Sequence, residues 1–482
     1  LVDKLVIAPF PRCQEIVHIM ARAQPCDTLP VLIVGGGFSG TLLAINLTRL
    51  GIPVTLIERD AAALAKGLAY GTRRPEHLLN VRASNMSAFP DDPGHFLRWM
   101  GFADAEQCNR FAPRLAYGHY LRELLTQALA SPRGGLTVCT EHVVALNDMP
   151  QGVNARLANG TELIGCAGVL ALGNLAPRMP APCAGLPPGL AMADPWHGDA
   201  QAGLAPDDRV VLLGTGLTAI DVALSLDRAG HHGPIVALSR RGLVPRAHAA
   251  TGPESPGVPA PGLRGSALVR AVRQRAADIG WRPAIDELRP HTQTLWRAHD
   301  TAAQARFLRH LRPWWDVHRH RLAPEIAMRL DALRRDGRVA FVAGRLVDAV
   351  TEKGAITLHW RPRGSDTVAN LTAARVINCV GPEGDIGQTD QPLLRTLLAC
   401  GAVRPDPHRL GLDVDPLWRV VDAQGQPSTR VYAVGPLTKG IAWEMTAVPD
   451  IRHQVWSLAR YLAGRVVAQR VVLRPLPARV CS

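Results

Sequence analysis

Two glycine-rich turns hold the residues whose types and spacing can do chemistry. The first is VGGGFSG, where Gly35, Gly37 and Gly40 follow the aliphatic run Val31 to Val34. The first glycine permits a tight turn and the second lets backbone approach a pyrophosphate. The third lets the following helix, expected over 39–50, pack closely on the strand. Phe38 and Ser39 open that helix, whose free N–H groups face phosphate charge. Gly51 stops it, and the strand PVTLIE ends on Glu58, 18 residues past Gly40, with Arg59 next. A carboxylate there accepts both ribose hydroxyls of an adenosine.

The second turn, Gly214-Thr215-Gly216-Leu217-Thr218-Ala219, follows the strand RVVLLG and precedes the strand PIVALS. Alanine in the third glycine position is an accepted variant. This unit ends on Ser239, Arg240 and Arg241 instead of an acid. A carboxylate would repel a 2′-phosphate, whereas Ser239 can donate a hydrogen bond and an arginine can grip the phosphate with its planar guanidinium. Such charge-assisted bonds contribute about 1.5–3 kcal/mol each. The pair of turns therefore predicts FAD on the first and NADPH on the second, with hydride passing between them.

Stepping outward to the elements that position these turns, GCAGVLALGN (165–174, with Gly173) reads as a strand before the second unit, and RVINCVG (375–381) as one after it. They are expected where the chain leaves and re-enters the first domain. RVYAVGP (430–436) is a late strand closing on Gly435, followed by a helix over 446–464. The fold class expected is α/β, an FAD-binding Rossmann-like domain with an inserted NADPH-binding Rossmann-like domain and a helical insertion. The boundaries are 1–29 for an N-terminal extension, 30–200 and 366–470 for the FAD domain, 205–262 and 337–365 for the NADPH domain, and 263–336 for the insertion.

Together VGGGFSG, ALGN, GTGLTAID, SRRG, NCVG and VYAVGP resemble the two-dinucleotide-binding-domain flavoproteins, in the branch of flavin-containing, Baeyer–Villiger and N-hydroxylating monooxygenases. HLLNVRASNMSAFPDDPGHFLRW and LSRRGLVPRAH resemble bacterial FAD/NAD(P)-binding proteins. The resemblance implies that Asn80, Met86, Phe89 and Pro90 lie beside the flavin. It also implies that an asparagine donates a hydrogen bond there. Asn80 to Phe89 is one residue longer than the family spacing, so Asn85 is the rival. The F-x-G-x-x-x-H fingerprint is absent, and ADPWHGD with His197 stands in its place. The implied chemistry is reduction of FAD by NADPH, reaction with molecular oxygen, and delivery of one oxygen atom from a flavin hydroperoxide to an amine, sulfur or ketone small molecule.

Residues 251–262 read as an irregular linker, rich in proline and glycine. From Arg264 to Arg338 there are sixteen arginines against eight acids, in a helical pattern with Pro313 and Pro324 near helix starts. Arg306, Arg309, Arg312 and Arg319 are either a basic surface for an anionic substrate or acidic carrier protein, or simply solvated helix faces with Trp281, Trp296, Trp314 and Trp315 as core. His318 and His320 do not share a helix face, so no metal site is expected.

The net charge of +13 comes almost wholly from arginine, since Lys4, Lys66, Lys353 and Lys439 are the lysines. Such an excess suits an anionic partner, and a flavin-containing RNA-binding protein is the rival of a different kind. No apolar run reaches the roughly 18–20 residues of a membrane span. Nine scattered cysteines without a C-x-x-C pair fit a reducing cytoplasm. The helix after the first strand carries GFSGTLLAIN, without the cysteine pair of a disulfide reductase. The closest enzymatic alternative is an NADPH-dependent flavin reductase or dehydrogenase that inserts no oxygen.

Overall fold

The computed structural model describes residues 29–132, 135–250, 262–352 and 354–473, with side chains as far as 466. Apart from Leu29 and Gly262, the expected N-terminal extension and irregular linker lie outside the described residues.

Val31–Val34, fully aliphatic, is buried on both faces and pairs in parallel with Val54–Glu58 on one side and Ala167–Leu170 on the other. A parallel pair needs a crossover, and helix Phe38–Arg49 supplies it. The helix is buried nearly all round because helices Arg114–Leu129 and Val448–Leu473 pack on the faces that the sheet leaves open. Leu136–Thr140, Pro427–Ala433 and Arg419–Val421 complete a six-stranded sheet, antiparallel at the last edge alone. On its other face lies an antiparallel meander of Val143–Met149, Gly152–Leu157 and Glu162–Gly165.

The second sheet has seven strands, ordered Ala369–Ala373, Ala355–Pro362, Val339–Glu352, Ile235–Ser239, Val210–Leu213, Arg375–Asn378 and Ala191–Met192. This corrects the expected return point to the first domain. Strand Arg375–Asn378 pairs with Val210–Leu213 in the second sheet, as Ala167–Leu170 pairs with Val31–Val34 in the first.

The physical reason lies in the glycines. Gly35 sits at φ +106°, and a Cβ on it would stand 2.4 Å from the Ala171 carbonyl oxygen. Gly214 sits at φ +119°, with the Cys379 carbonyl at the same 2.4 Å. ALGN and NCVG are thus counterparts, each laid against its own glycine turn. Asn378, 1% exposed, donates from Nδ2 to the carbonyls of Arg178 and Ala193, which ties the returning strand to the outgoing connection.

Helix Leu217–Arg228 of the second domain lies against the first. Arg114 Nη2 donates to Asp221 Oδ2 at 2.7 Å, and His77 Nε2 is 2.8 Å from Ser225 Oγ. The insertion is helical over Gly265–Ile279, Trp281–Leu288, Thr292–Arg297, Thr301–His310, Arg312–Arg319 and Pro324–Arg335, with Pro313 and Pro324 in first turns. Its last helix buries Leu330 and Leu333 on the second sheet.

The middle helices reach the first domain. Trp296 Nε1 donates to the Gly440 carbonyl at 2.8 Å, and the Trp296 ring stacks on Trp443 with centroids 5.1 Å apart. Trp296 is core, whereas Trp314 is 45% exposed. Arg306 and Arg309 are exposed, but Arg319 is not a solvated arginine: its Nε donates to Glu444 Oε2 at 2.9 Å, deep in the seam.

Burial in that seam, with Arg312 nearby, pushes the Lys439 ammonium down to about 8 from 10.5. Because the folded value is depressed, the unfolded chain binds this proton more tightly, and stability rises as pH climbs from about 8 to 10.5. The gain is at most about 3 kcal/mol. Denaturant melts across this window should show the rise in the native protein, and Lys439→Met should remove it.

Candidate cofactor cleft

The first turn opens onto a cleft of about 1290 Å³. Gly35, Gly37, Phe38, Ser39, Glu58, Arg59 and Gly173 line it. The helix beginning at Phe38 has no side-chain cap and no acid in its first turn, so its N–H groups stay open to an anion. Glu58 accepts the Gly36 N–H on Oε2 at 2.7 Å and the Asp60 N–H on Oε1 at 3.1 Å. These bonds aim the carboxylate and leave it acceptor capacity for a ribose. At the same end, His142 Nε2 is buried without a hydrogen-bond partner.

Gly40 lies beneath, and a Cβ on it would stand 1.9 Å from the Gly35 carbonyl oxygen. Gly435, at φ +78°, brings the late turn against Ser39, and its neighbour Pro436 lines the cleft.

The second turn repeats the geometry around Thr215, Gly216, Leu217 and Thr218. Gly216 has open space where a Cβ would be, and the helix from Leu217 is likewise uncapped, with no acid in its first turn. Thr215 Oγ1 donates to the Leu243 carbonyl at 2.6 Å and lies 2.9 Å from Ser239 Oγ. The Ser239 hydroxyl also accepts the Gly242 N–H at 3.0 Å. Its one proton therefore goes to Thr215, so that Ser239 straps the turn. Arg240 is exposed, and Arg241 Nη2 reaches the Arg309 carbonyl at 3.3 Å.

Residues 32–175 match a family model described as FAD-NAD(P)-binding. The first domain is an FAD/NAD(P)-binding domain. No curated protein matches the chain by sequence. Among solved structures, the ornithine N-hydroxylase of Kutzneria sp. 744, with reduced FAD, NADP+ and L-ornithine, is similar at 15% identity. The match covers 91% of this chain and 99% of that one, with a TM-score of 0.63. L-lysine 6-monooxygenase from Pseudomonas syringae is similar at 16% identity, over 92% and 99% of the chains, with a TM-score of 0.61. A bacillithiol disulfide reductase from Bacillus cereus is similar at 15%, over 91% and 99%, with a TM-score of 0.53. The chain thus shares the fold of two-domain flavoproteins.

Within the FAD/NAD(P)-binding domain, the structure separates the asparagines and Met86 from the cleft. Met86 is 1% exposed, in the core. Asn80 offers its carbonyl to His248 Nε2 at 3.1 Å, and Asn85, exposed in a short helix, offers its own to Arg452 Nη1 at 3.3 Å. None of the three is among the cleft-lining residues.

Lining residues not singled out from the sequence include the GLAYGT stretch, and ADPWHGD, noted there for its position alone, lines the cleft through 194–198. Gly67, at φ +54°, passes directly over Gly37, whose added Cβ would sit 3.4 Å from the Gly67 Cα. The paired glycines Gly67 and Gly71 were the available signal. His77 bonds Thr72 through Nδ1 at 2.9 Å and Ser225 through Nε2, and burial holds its pKa below the usual histidine value. Trp196 stacks edge-on against it at 5.7 Å. Among the described residues no helix is long and apolar enough to cross a membrane, and no cluster of potential metal ligands occurs.

Two comparisons test this geometry. Gly40→Ala should cost at least about 3 kcal/mol in denaturant melts, because backbone meets backbone. Gly37→Ala should instead keep the fold and weaken FAD affinity at least tenfold by calorimetric titration. At the second turn, Arg240→Ala should raise the KM for NADPH at least tenfold and leave NADH nearly unchanged. Ser239→Ala should lower stability and leave that selectivity alone; the reverse pattern would restore Ser239 as a phosphate ligand.

Proposed function

We propose that the chain is an FAD-dependent, NADPH-consuming oxidoreductase, a monooxygenase acting on an amine, sulfur or ketone small molecule with molecular oxygen. One observation carries the reading: two equivalent glycine turns end on side chains of opposite charge, Glu58 on one and Arg240 with Arg241 on the other. The acid suits the ribose of FAD, and the arginines suit the additional phosphate of NADPH. When bound, the flavin supplies hydride acceptance and oxygen reactivity.

The chain's own residues bind and shield. The N–H groups at Gly37 and Phe38 take the pyrophosphate, and Glu58 takes the ribose. Trp196, His77 and Tyr70 line the cleft and help to exclude water from it. His77 stays a neutral imidazole and couples the cleft wall to the second-domain helix through Ser225. The shared fold with the ornithine and lysine hydroxylases supports the monooxygenase reading. The disulfide reductase shares the fold too, but among the described residues no cysteine lines this cleft.

The test is anaerobic reduction of the purified yellow protein by NADPH, followed by rapid mixing with oxygen. A transient band at about 370–390 nm before the oxidised spectrum returns supports oxygenation. Immediate reoxidation with stoichiometric hydrogen peroxide would replace the monooxygenase by an NADPH-dependent flavin reductase.

A further inference from the structure

At the seam between the helical insertion and the first domain, Arg289, Arg319, Glu444 and Asp450 gather with more donors than the protein's own acceptors satisfy. Glu444 takes two of the seam's donors: Oε1 accepts from Trp315 Nε1 at 2.5 Å and Oε2 accepts from Arg319 Nε at 2.9 Å. Asp450 Oδ2 stands 3.6 Å from Arg289 Nη2, outside hydrogen-bond reach. Arg289 Nε and Nη2, Arg319 Nη2 and Asp450 Oδ2 are all buried with no hydrogen-bond partner. Three unpaired donor nitrogens thus stand against one unpaired acceptor oxygen.

A buried donor without an acceptor costs about 1–3 kcal/mol, and more when charged. The Arg319 side chain is only 10% exposed, so bulk water does not relieve it. Planar guanidinium groups match the paired oxygens of a carboxylate or phosphate. The seam lies near the surface, with the Arg289 and Asp450 side chains 24% and 21% exposed while their unpaired atoms stay covered. It adjoins the cleft as well. Ile451 follows Asp450, Thr446 comes two residues after Glu444, and both Ile451 and Thr446 line the cleft wall.

We propose that Arg289 and Arg319 seat a carboxylate or phosphate oxyanion of the small-molecule substrate at this seam, with the rest of the molecule directed past Thr446 and Ile451 into the cleft. The word substrate rests on the oxidoreductase reading, while the oxyanion seat stands on the seam's own geometry. Asp450 has a defined part in it. Its carboxylate competes with an incoming anion for the guanidinium groups, so neutralising it strengthens binding.

Calorimetric titration of the purified full chain with sodium benzoate and with inorganic phosphate, against sodium chloride at equal ionic strength, tests the seat. Saturable binding of at least one of them is expected. A response to benzoate alone marks a carboxylate, and a response to phosphate marks a phosphate ester. Arg289→Gln should weaken that binding at least tenfold, and Asp450→Asn should tighten it about threefold or more. A purely structural ion cluster would lose stability in Asp450→Asn without gaining affinity.

No response beyond chloride, or unchanged affinity in Arg289→Gln, overturns the seat. Should Arg289→Gln fail to fold, equal or weaker affinity in Asp450→Asn overturns it as well. Binding in a protein that shows no oxygen transient would leave the seat standing and remove the monooxygenase reading. The converse result would remove the seat alone.

Discussion

Backbone pressed against backbone at two points organises this protein. Gly35 lies on the Ala171 carbonyl and Gly214 on the Cys379 carbonyl, each at a separation no side chain would allow. Each contact sets a glycine turn at the carboxyl ends of three neighbouring parallel strands and aims an uncapped helix N-terminus outward. Without that approach neither turn could present bare N–H groups to a phosphate. The strand-end side chains would then have nothing to discriminate.

The two units are joined by polar contacts as much as by apolar packing. Asn378 bonds two carbonyls of the outgoing connection, Arg114 pairs with Asp221, and His77 meets Ser225. Interfaces of this kind hold an orientation through direction, because hydrogen bonds are angular where apolar contact is not. The insertion adds a third attachment through Trp296, Trp315 and Arg319, which spans the seam above the late turn. Much of its arginine excess is thereby spent on structure: Arg321 pairs with Asp286, and Arg329 and Arg338 share Asp227.

The cofactor turns were legible because their constraint is local. A strand, two or three glycines at fixed offsets, a helix and a charged strand end all lie within about 30 residues, the length of one βαβ unit. The same locality leaves longer-range placements unread. Asn80, Asn85 and Met86 follow a family spacing, and nothing in their immediate sequence says that Met86 turns into the core while the carbonyls of Asn80 and Asn85 face His248 and Arg452. At its strand end Ser239 shares its hydroxyl with Thr215 and the Gly242 N–H.

By itself the sequence determined the periodic elements, the two glycine turns and the contrast of Glu58 with Arg240 and Arg241. Each follows from short-range sterics and charge that any neighbouring packing must respect. Tertiary structure alone decided that Arg375–Asn378 joins the second sheet, that Gly67 closes over Gly37, and that Arg319 and Glu444 share a buried seam. Those pairings join residues tens to hundreds of positions apart. Their energy depends on burial and mutual approach, which exist only once the chain has folded.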